Sequence, residues 1–232
     1  MIKENKVKRF LLIYFVPLIA NAAGDGTISF DKTRIIVKGT KESLQVTNNK
    51  DYPLLIKSSV YTEDNEKSTD FVATPPVFKS ESSDRSIIKI VRKNLKLPQN
   101  REYLNWLCID AIPPQETAHI TQRGKRSDAI NITVRGCIKI INRPENLKSP
   151  SFLELSDNLK WSLNKNVITV KNDSPYYINF NNITVDNTVN NTVVYLRPFS
   201  EEKISLSRPP HAVTWSLIDD YGSGTRTSKH VF

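Results

Sequence analysis

The sequence AINITVRGCIKIINRP, residues 129–144, combines two patterns in one stretch. In its first half Ile130, Ile132 and Val134 alternate with polar residues, which is the period-two pattern of a β-strand with one apolar face. In its second half Lys139 is the one charged residue in an aliphatic run, IKII. The stretch therefore predicts a strand with an aliphatic stripe and a nearly surrounded lysine. Any strand of a β-sandwich can show alternation, so a purely structural role stays open at this point.

Strict alternation places Lys139 on the opposite face of this strand from the aliphatic stripe. Gly136 lies between them, and a glycine inside a strand often marks a bulge that changes the direction of side chains. We therefore expect a bulge or twist at Gly136.

A strand is also predicted at Thr27–Lys38, where alternation puts Arg34 on one face with apolar neighbours, among them Phe30 and Ile36. An arginine in that position is often an edge residue whose charged end reaches solvent, and this interpretation stays open. Further strand patterns, separated by polar turns, follow at Ser43–Thr47, Tyr52–Thr62, Phe71–Lys79, Ser86–Arg92 and Tyr103–Asp110. Seven strands in about 115 residues indicate an immunoglobulin-like sandwich.

The segment Asn142–Pro150, NRPENLKSP, has two prolines and little apolar content, as expected of a linker. A second β-rich series without cysteine follows it. We therefore predict an all-β chain with two tandem immunoglobulin-like β-sandwich domains, at residues 23–144 and 145–232.

The N-terminus has a basic segment, Lys3–Arg9, an apolar run, Phe10–Ala20, and the small-residue site Ala20-Asn21-Ala22. This arrangement predicts a secretory signal peptide at residues 1–22, too short to span a membrane as a helix. An amphipathic surface helix is the alternative. We expect an exported protein that does not insert into the membrane.

Two cysteines, Cys108 and Cys137, lie in the mature part, and a disulfide between them is the default in an oxidising compartment. There is no CxxC pair, and the three histidines are scattered, so we expect no metal site. The net charge is +9, of which residues 1–22 contribute +3. The remaining +6 comes from residues interleaved along strands, with no basic block or stacking aromatics, which argues against nucleic acid as a partner.

No catalytic motif is present: the sequence has no GxSxG, no HExxH and no phosphate-binding loop. If the cysteines pair, neither is available as a nucleophile. We therefore expect a protein that is not an enzyme and needs no cofactor.

Several motifs occur in a characteristic order along both predicted domains. They are DKTRIIVKG (31–39), FVATPPVFK (71–79), LPQNREYLNWLCIDAIPP (97–114), IKIINRP (138–144), NDSPYYINF (172–180) and LIDDYGSG (217–224). Together they closely resemble the PapD-like periplasmic chaperones of the bacterial chaperone-usher pathway. The resemblance covers essentially the whole mature chain and implies two immunoglobulin-like domains set at an angle, with a cleft between them.

The resemblance also implies a site. Arg34 and Lys139 match the two family positions that hold the C-terminal carboxylate of a pilus subunit, and paired cations suit an anion with two acceptor oxygens. Family chaperones lend the last strand of their first domain to an incomplete subunit. Ile130, Ile132 and Val134 are therefore expected to fill the groove of that subunit. The partners implied are a pilus or adhesin subunit and an outer-membrane usher, and the compartment is the periplasm.

Three further positions, Glu102, Arg143 and Asp220, match a charged network between the domains of family members.

The cysteine pair and the long segment between its strands resemble the branch with an extended F-to-G loop. The sequence leaves open whether the free chaperone self-associates, which an exposed apolar edge would favour. An exported immunoglobulin-like fibre subunit or adhesin is the alternative function.

Overall fold

The computed structural model describes residues 26–114 and 132–232. The predicted signal peptide and Ile130 lie outside these residues. The described chain forms two β-sandwich domains joined by a short connection, and one six-residue helix opens the second domain. No helix in the described residues has the length and hydropathy needed to cross a membrane.

The first domain packs a four-stranded sheet, in the order β1-β3-β7-β5, against a five-stranded sheet, in the order β2-β9-β8-β4-β6. Aliphatic side chains that alternate with exposed ones along these strands meet between the two sheets and form the core. The strands are β1 (Ile28–Phe30), β2 (Arg34–Val37), β3 (Lys41–Asn48), β4 (Leu54–Thr62), β5 (Phe71–Thr74), β6 (Val77–Ser80), β7 (Arg85–Arg92), β8 (Tyr103–Ile112) and β9 (Val134–Asn142).

Two predicted strands are each divided between the sheets, so those predictions were wrong. The first becomes β1 and β2, because Asp31 bends the chain: its carboxylate and its backbone N–H both bond to the backbone of Gln45. Phe30 and Arg34 therefore lie in different sheets and do not share a face. The second becomes β5 and β6, separated by Pro75-Pro76, because proline has no N–H to donate to a sheet.

The second domain begins with α1 (Phe152–Asp157), whose first turn is capped by the Ser151 hydroxyl accepting from the Glu154 N–H. One sheet has the order β10-β11-β15 and the other β13-β12-β16-β17, with β14 paired to β12. The strands are β10 (Lys160–Asn164), β11 (Val167–Asn172), β12 (Ile178–Val185), β13 (Thr188–Val189), β14 (Tyr195–Leu196), β15 (Ser200–Ser205), β16 (Ala212–Leu217) and β17 (Ser228–Val231).

The pairing of β9 with β8 is regular from Val134 to Asn142, with no shift of register at Gly136. The bulge expected there is therefore wrong within the described strand. The reason for a glycine at position 136 is steric, because a Cβ there would lie 3.0 Å from the Phe30 ring of the facing sheet. Gly136 thus makes room for an aromatic side chain, and the strand stays straight enough to leave Val134 and Lys139 on opposite faces.

Candidate functional site

Arg34 and Lys139 are brought side by side by the parallel pairing of β2 with β9, in which they are direct register partners. Adjacent strands lie about 4.8 Å apart, so the two cations start from neighbouring positions. Their chain neighbours Ile35 and Ile140 point into the core, and the charged side chains therefore point outwards, towards the second domain. We call Arg34 and Lys139 the anchor pair.

Lys139 of the anchor pair is enclosed largely by polar and aromatic groups. Its Nζ donates to Oδ1 of Asn179 and lies 4.1 Å from the ring centroid of Tyr195 and 5.5 Å from that of Trp106. Burial, together with repulsion from Arg34, lowers the pKa of Lys139 to about 8. An anion bound beside Lys139 would therefore stabilise the charged form of this lysine.

Arg34, the other member, is 9% exposed. Its Nη1 donates to the carbonyl of Ile218 at 3.5 Å, while its buried Nε has no hydrogen-bond partner among the described residues. Burial lowers the pKa of Arg34, and the charges of Asp220 and Asp219 oppose that shift. Arg34 also lines a groove of about 430 Å³ between the domains. Within residues 26–114 and 132–232, no carboxylate forms an ion pair with either member of the anchor pair, and Arg34 Nε has no acceptor.

Beside the anchor pair, β9 has one open side. Within the described residues β2 pairs with β9 only from Lys139 onwards, so Val134–Ile138 has the β8 ladder on one side and no strand on the other. We call Val134–Ile138 the open edge. Ile132, just before it, is 70% exposed, and Val134 is half-buried. Neither side chain is enclosed in the core.

On its outer face the open edge is fastened to β8. Cys137 and Cys108 are register partners and form a disulfide. Next to them Arg135 makes two hydrogen bonds to the Asp110 carboxylate, a bidentate ion pair that lowers the pKa of Asp110. A strand that lacks one neighbour is therefore held firmly by the other.

Where β9 ends, Arg143 joins the two domains. Its Nε donates to Glu102 at 2.6 Å, and its two terminal nitrogens donate to Asp220 at 2.6 and 2.8 Å. Glu102 in turn accepts from the backbone N–H of Tyr177 at 2.7 Å. Arg143 is 1% exposed. Desolvation raises the pKa of Glu102. Burial alone would lower the pKa of Arg143, but the carboxylates of Asp220 and Glu102 raise it.

Sequence reasoning did not single out several residues of this region. Asn179 and Tyr195 contact Lys139, and Glu63 accepts from the Tyr195 hydroxyl. Gly222 has φ +89°, and a Cβ there would lie 2.4 Å from Thr33 across the domain boundary. The DDYGSG motif gave a signal for Gly222, since glycine is favoured where φ is positive. No local pattern marks Glu63, because its partners are distant in the sequence.

Comparison with known proteins assigns the family. The family described as "Pili and flagellar-assembly chaperone, PapD N-terminal domain" matches residues 27–148, and "Pili assembly chaperone PapD, C-terminal domain" matches residues 154–229. The chain is 41% identical over 226 residues to the chaperone protein CssC of Escherichia coli, covering 95% of this chain and 97% of CssC.

Solved structures agree. A chain of the Salmonella enterica SafA pilin–SafB chaperone complex superposes with a TM-score of 0.79 at 30% identity, covering 88% of this chain and 96% of that one. The E. coli chaperone DraB superposes with a TM-score of 0.75 at 29% identity and the same coverage. The chain therefore belongs to the PapD-like family of pilus-assembly chaperones. This assignment replaces the alternative of a fibre subunit.

Proposed function

We propose that the chain is a periplasmic chaperone that binds a pilus or adhesin subunit by lending it the β9 strand and then delivers it to an outer-membrane usher. It does so without catalysis and without a cofactor, after export by the signal peptide. The observation that carries the proposal is that the open edge continues directly into Lys139 on the same strand, β9, where β2 places Arg34 beside it. The relatives named as chaperones, and the pilin–chaperone complex among the structural neighbours, support it.

The open edge offers unpaired backbone N–H and C=O groups to an incoming strand, the geometry of β-strand addition. Main-chain hydrogen bonds supply affinity, and alternate side chains fill pockets of the subunit. Burying Ile130, Ile132 and Val134 contributes about 1.5 to 3 kcal/mol for each side chain before the costs of association.

The anchor pair receives the C-terminal carboxylate of the subunit. The carboxylate supplies acceptors for the Arg34 guanidinium and for Lys139 Nζ, through charge-assisted hydrogen bonds. Because a slip of one residue would turn the stripe away from the groove, this fixed charge contact sets the register of the whole added strand. Val134 of the stripe and Lys139 of the anchor pair lie on opposite faces of β9, and a partner at the edge reaches both.

Removing the ammonium group tests the proposal. We expect Lys139→Ala to abolish recovery of soluble subunit when chaperone and the neighbouring fimbrial subunit gene are expressed together, because losing one charge of a desolvated pair costs about 2 to 5 kcal/mol or more. The matched control is Lys89→Ala, an exposed lysine on β7 in the other sheet. Recovery is measured by co-purification through a tag on the chaperone.

A second arm separates charge from folding. A subunit with an amidated C-terminus, made by peptide ligation, is expected to bind the parent chaperone as weakly as the native subunit binds Lys139→Ala. Normal recovery with Lys139→Ala, together with equal binding of the amidated subunit, contradicts the anchor role. Thermal unfolding of Lys139→Ala alone checks that the variant is folded.

A further inference from the structure

Lys139 belongs to the first domain, but the second domain supplies much of its surroundings. Asn179 of β12 accepts from its Nζ, and the ring of Tyr195 of β14 lies against it at 4.1 Å. A cation over the face of an aromatic ring is attracted by the ring electrons. The position of the ammonium group thus depends on two residues that are correctly placed only when the domains are docked.

Glu63 makes the reciprocal contact, from the first domain to the second. It follows β4 directly, and its carboxylate accepts from the Tyr195 hydroxyl at 2.7 Å, the Tyr177 hydroxyl at 3.1 Å and Arg197 Nε at 2.8 Å. The Glu63 side chain is 16% exposed. We call this group of four residues the Glu63 clamp. Three donors on one carboxylate fix both the carboxylate and the Tyr195 ring.

The negative charge of the Glu63 clamp acts on Lys139 of the anchor pair. The carboxylate of Glu63 raises the pKa of Lys139, opposing the lowering by burial and by Arg34. Burial and the Glu63 carboxylate raise the pKa of Tyr195 to about 12, so its hydroxyl remains a donor throughout the physiological range. No ion pair joins Glu63 to Lys139 within the described residues, so their charged atoms are more than 4 Å apart. Glu63 therefore leaves Lys139 Nζ available.

We infer that Glu63 is a positioning residue of the carboxylate anchor: it holds the Tyr195 ring against Lys139 and contributes a negative charge that acts on this lysine, so that the anchor is complete only while the domains are docked. This inference rests on the proposed function for the identity of the bound anion. Arg143 joins the domains at one end of the interface, and the Glu63 clamp joins them next to the lysine itself.

The charged and titratable groups around Lys139 come from several elements. Arg34 faces it from β2 and repels it, while Glu63 attracts it from the turn after β4. Tyr195 contacts it directly from β14. Behind these, Tyr177 and Arg197 bind Glu63, and the turn after β16 places Asp219 and Asp220 near Arg34.

The sign of the pH dependence follows from these contacts. A bound carboxylate raises the pKa of Lys139 above its value of about 8 in the free chaperone. The contribution of the lysine to binding is therefore complete below about pH 8 and is lost as the pH rises through the pKa in the complex. Without the Glu63 charge, the free-state pKa is lower and the loss begins at a lower pH.

The test uses the full mature chain and the variant Glu63→Gln, which keeps the size of the side chain and removes its charge. The pKa of Lys139 is measured in the free chaperone by NMR of labelled lysine side chains, and Lys139→Ala assigns the signal. We expect a downward shift from about 8. In the complex with the co-expressed subunit, dissociation is expected to begin at a lower pH than in the parent.

The matched control is Glu66→Gln, an exposed carboxylate in the same turn, which should leave both readouts unchanged. Glu63→Asp is expected to restore part of the shift. If Glu63→Gln does not fold, Tyr195→Leu and Tyr195→Phe replace it. Leucine removes the ring and should lower the pKa of Lys139, whereas phenylalanine keeps the ring and should lower it less.

An unchanged pKa of Lys139 in the folded variants Glu63→Gln or Tyr195→Leu overturns the inference. Failure of the proposed function would look different. In that case Lys139→Ala would still capture the subunit, while the pKa of Lys139 in the free chain would respond to Glu63 as described.

Discussion

The two halves of β9 share one ladder with β8 but differ on their other side. Lys139–Asn142 is paired with β2 and is followed by the buried Arg143. The open edge, Val134–Ile138, has no second neighbour in the described chain. One half of the strand is thus fixed on both sides, and the other keeps its hydrogen-bonding groups for a partner. A lent strand needs both properties, because the fixed half sets the register in which the free half is used.

The disulfide and the Asp110–Arg135 pair explain how the free half remains ordered. An unpaired edge strand ordinarily gains flexibility or finds an unwanted partner. Here the outer face of the edge is fastened to β8, while its other side has no strand beside it in the described chain and Ile132, just before the edge, is 70% exposed. Order without burial reduces the entropy cost of binding.

The largest expected effect comes from the fixed half. Arg143→Ala leaves Glu102 buried without its cation and frees Asp220, so we expect the free energy of unfolding to fall by about 3 to 5 kcal/mol and the angle between the domains to become variable. Chemical denaturation measures the first and small-angle scattering the second. Arg226→Ala, which removes an exposed bidentate pair with Asp157, should change stability by less than about 1 kcal/mol. An unchanged domain orientation with Arg143→Ala removes its proposed interdomain role.

A comparable but smaller effect is expected where the free half is fastened. Replacing Cys108 and Cys137 together by serine opens a loop with a sequence separation of 29. The chain-entropy relation gives a loss of roughly 3.5 kcal/mol in the free energy of unfolding. Hydrogen exchange at 134–138 should accelerate more than at 139–142, because β2 continues to hold the latter. Equal acceleration in both segments would contradict the distinction between the halves.

The smallest effect is expected from the aliphatic stripe. Ile132→Ser should leave the stability of the free chaperone unchanged, since the side chain is 70% exposed. It should weaken subunit binding by about 1.5 to 3 kcal/mol, because the side chain is buried only in the complex. Competition between parent and variant for a limiting amount of subunit measures this difference. Val189→Ser, at an exposed apolar position of the second domain, is the control, and equal losses from both variants would count against the stripe.

Local pattern accounts for much of the fold. The stretch Ala129–Pro144 predicted a strand, and β9 forms at Val134–Asn142, although Ile132 and Thr133 of its alternating half lie outside the strand. Turn residues separated most of the other strands correctly. The predictions failed where distant residues intervene: Thr27–Lys38 is divided because Asp31 bonds to Gln45, and Gly136 accommodates Phe30 from the facing sheet. Neither contact has a counterpart in the local sequence.

The same division applies to the site. Arg34 and Lys139 were predicted from motifs, and pairing of β2 with β9 places them together. Glu63 lies in an ordinary polar turn, EDNEK, and its hydroxyl partners are 114 and 132 residues away. Side-chain chemistry and periodicity are properties of the sequence itself, and they identify strands, cysteines and the anchor cations. Burial, register and contacts between domains arise only when distant segments pack, and they determine which edge of β9 stays open and which groups surround Lys139.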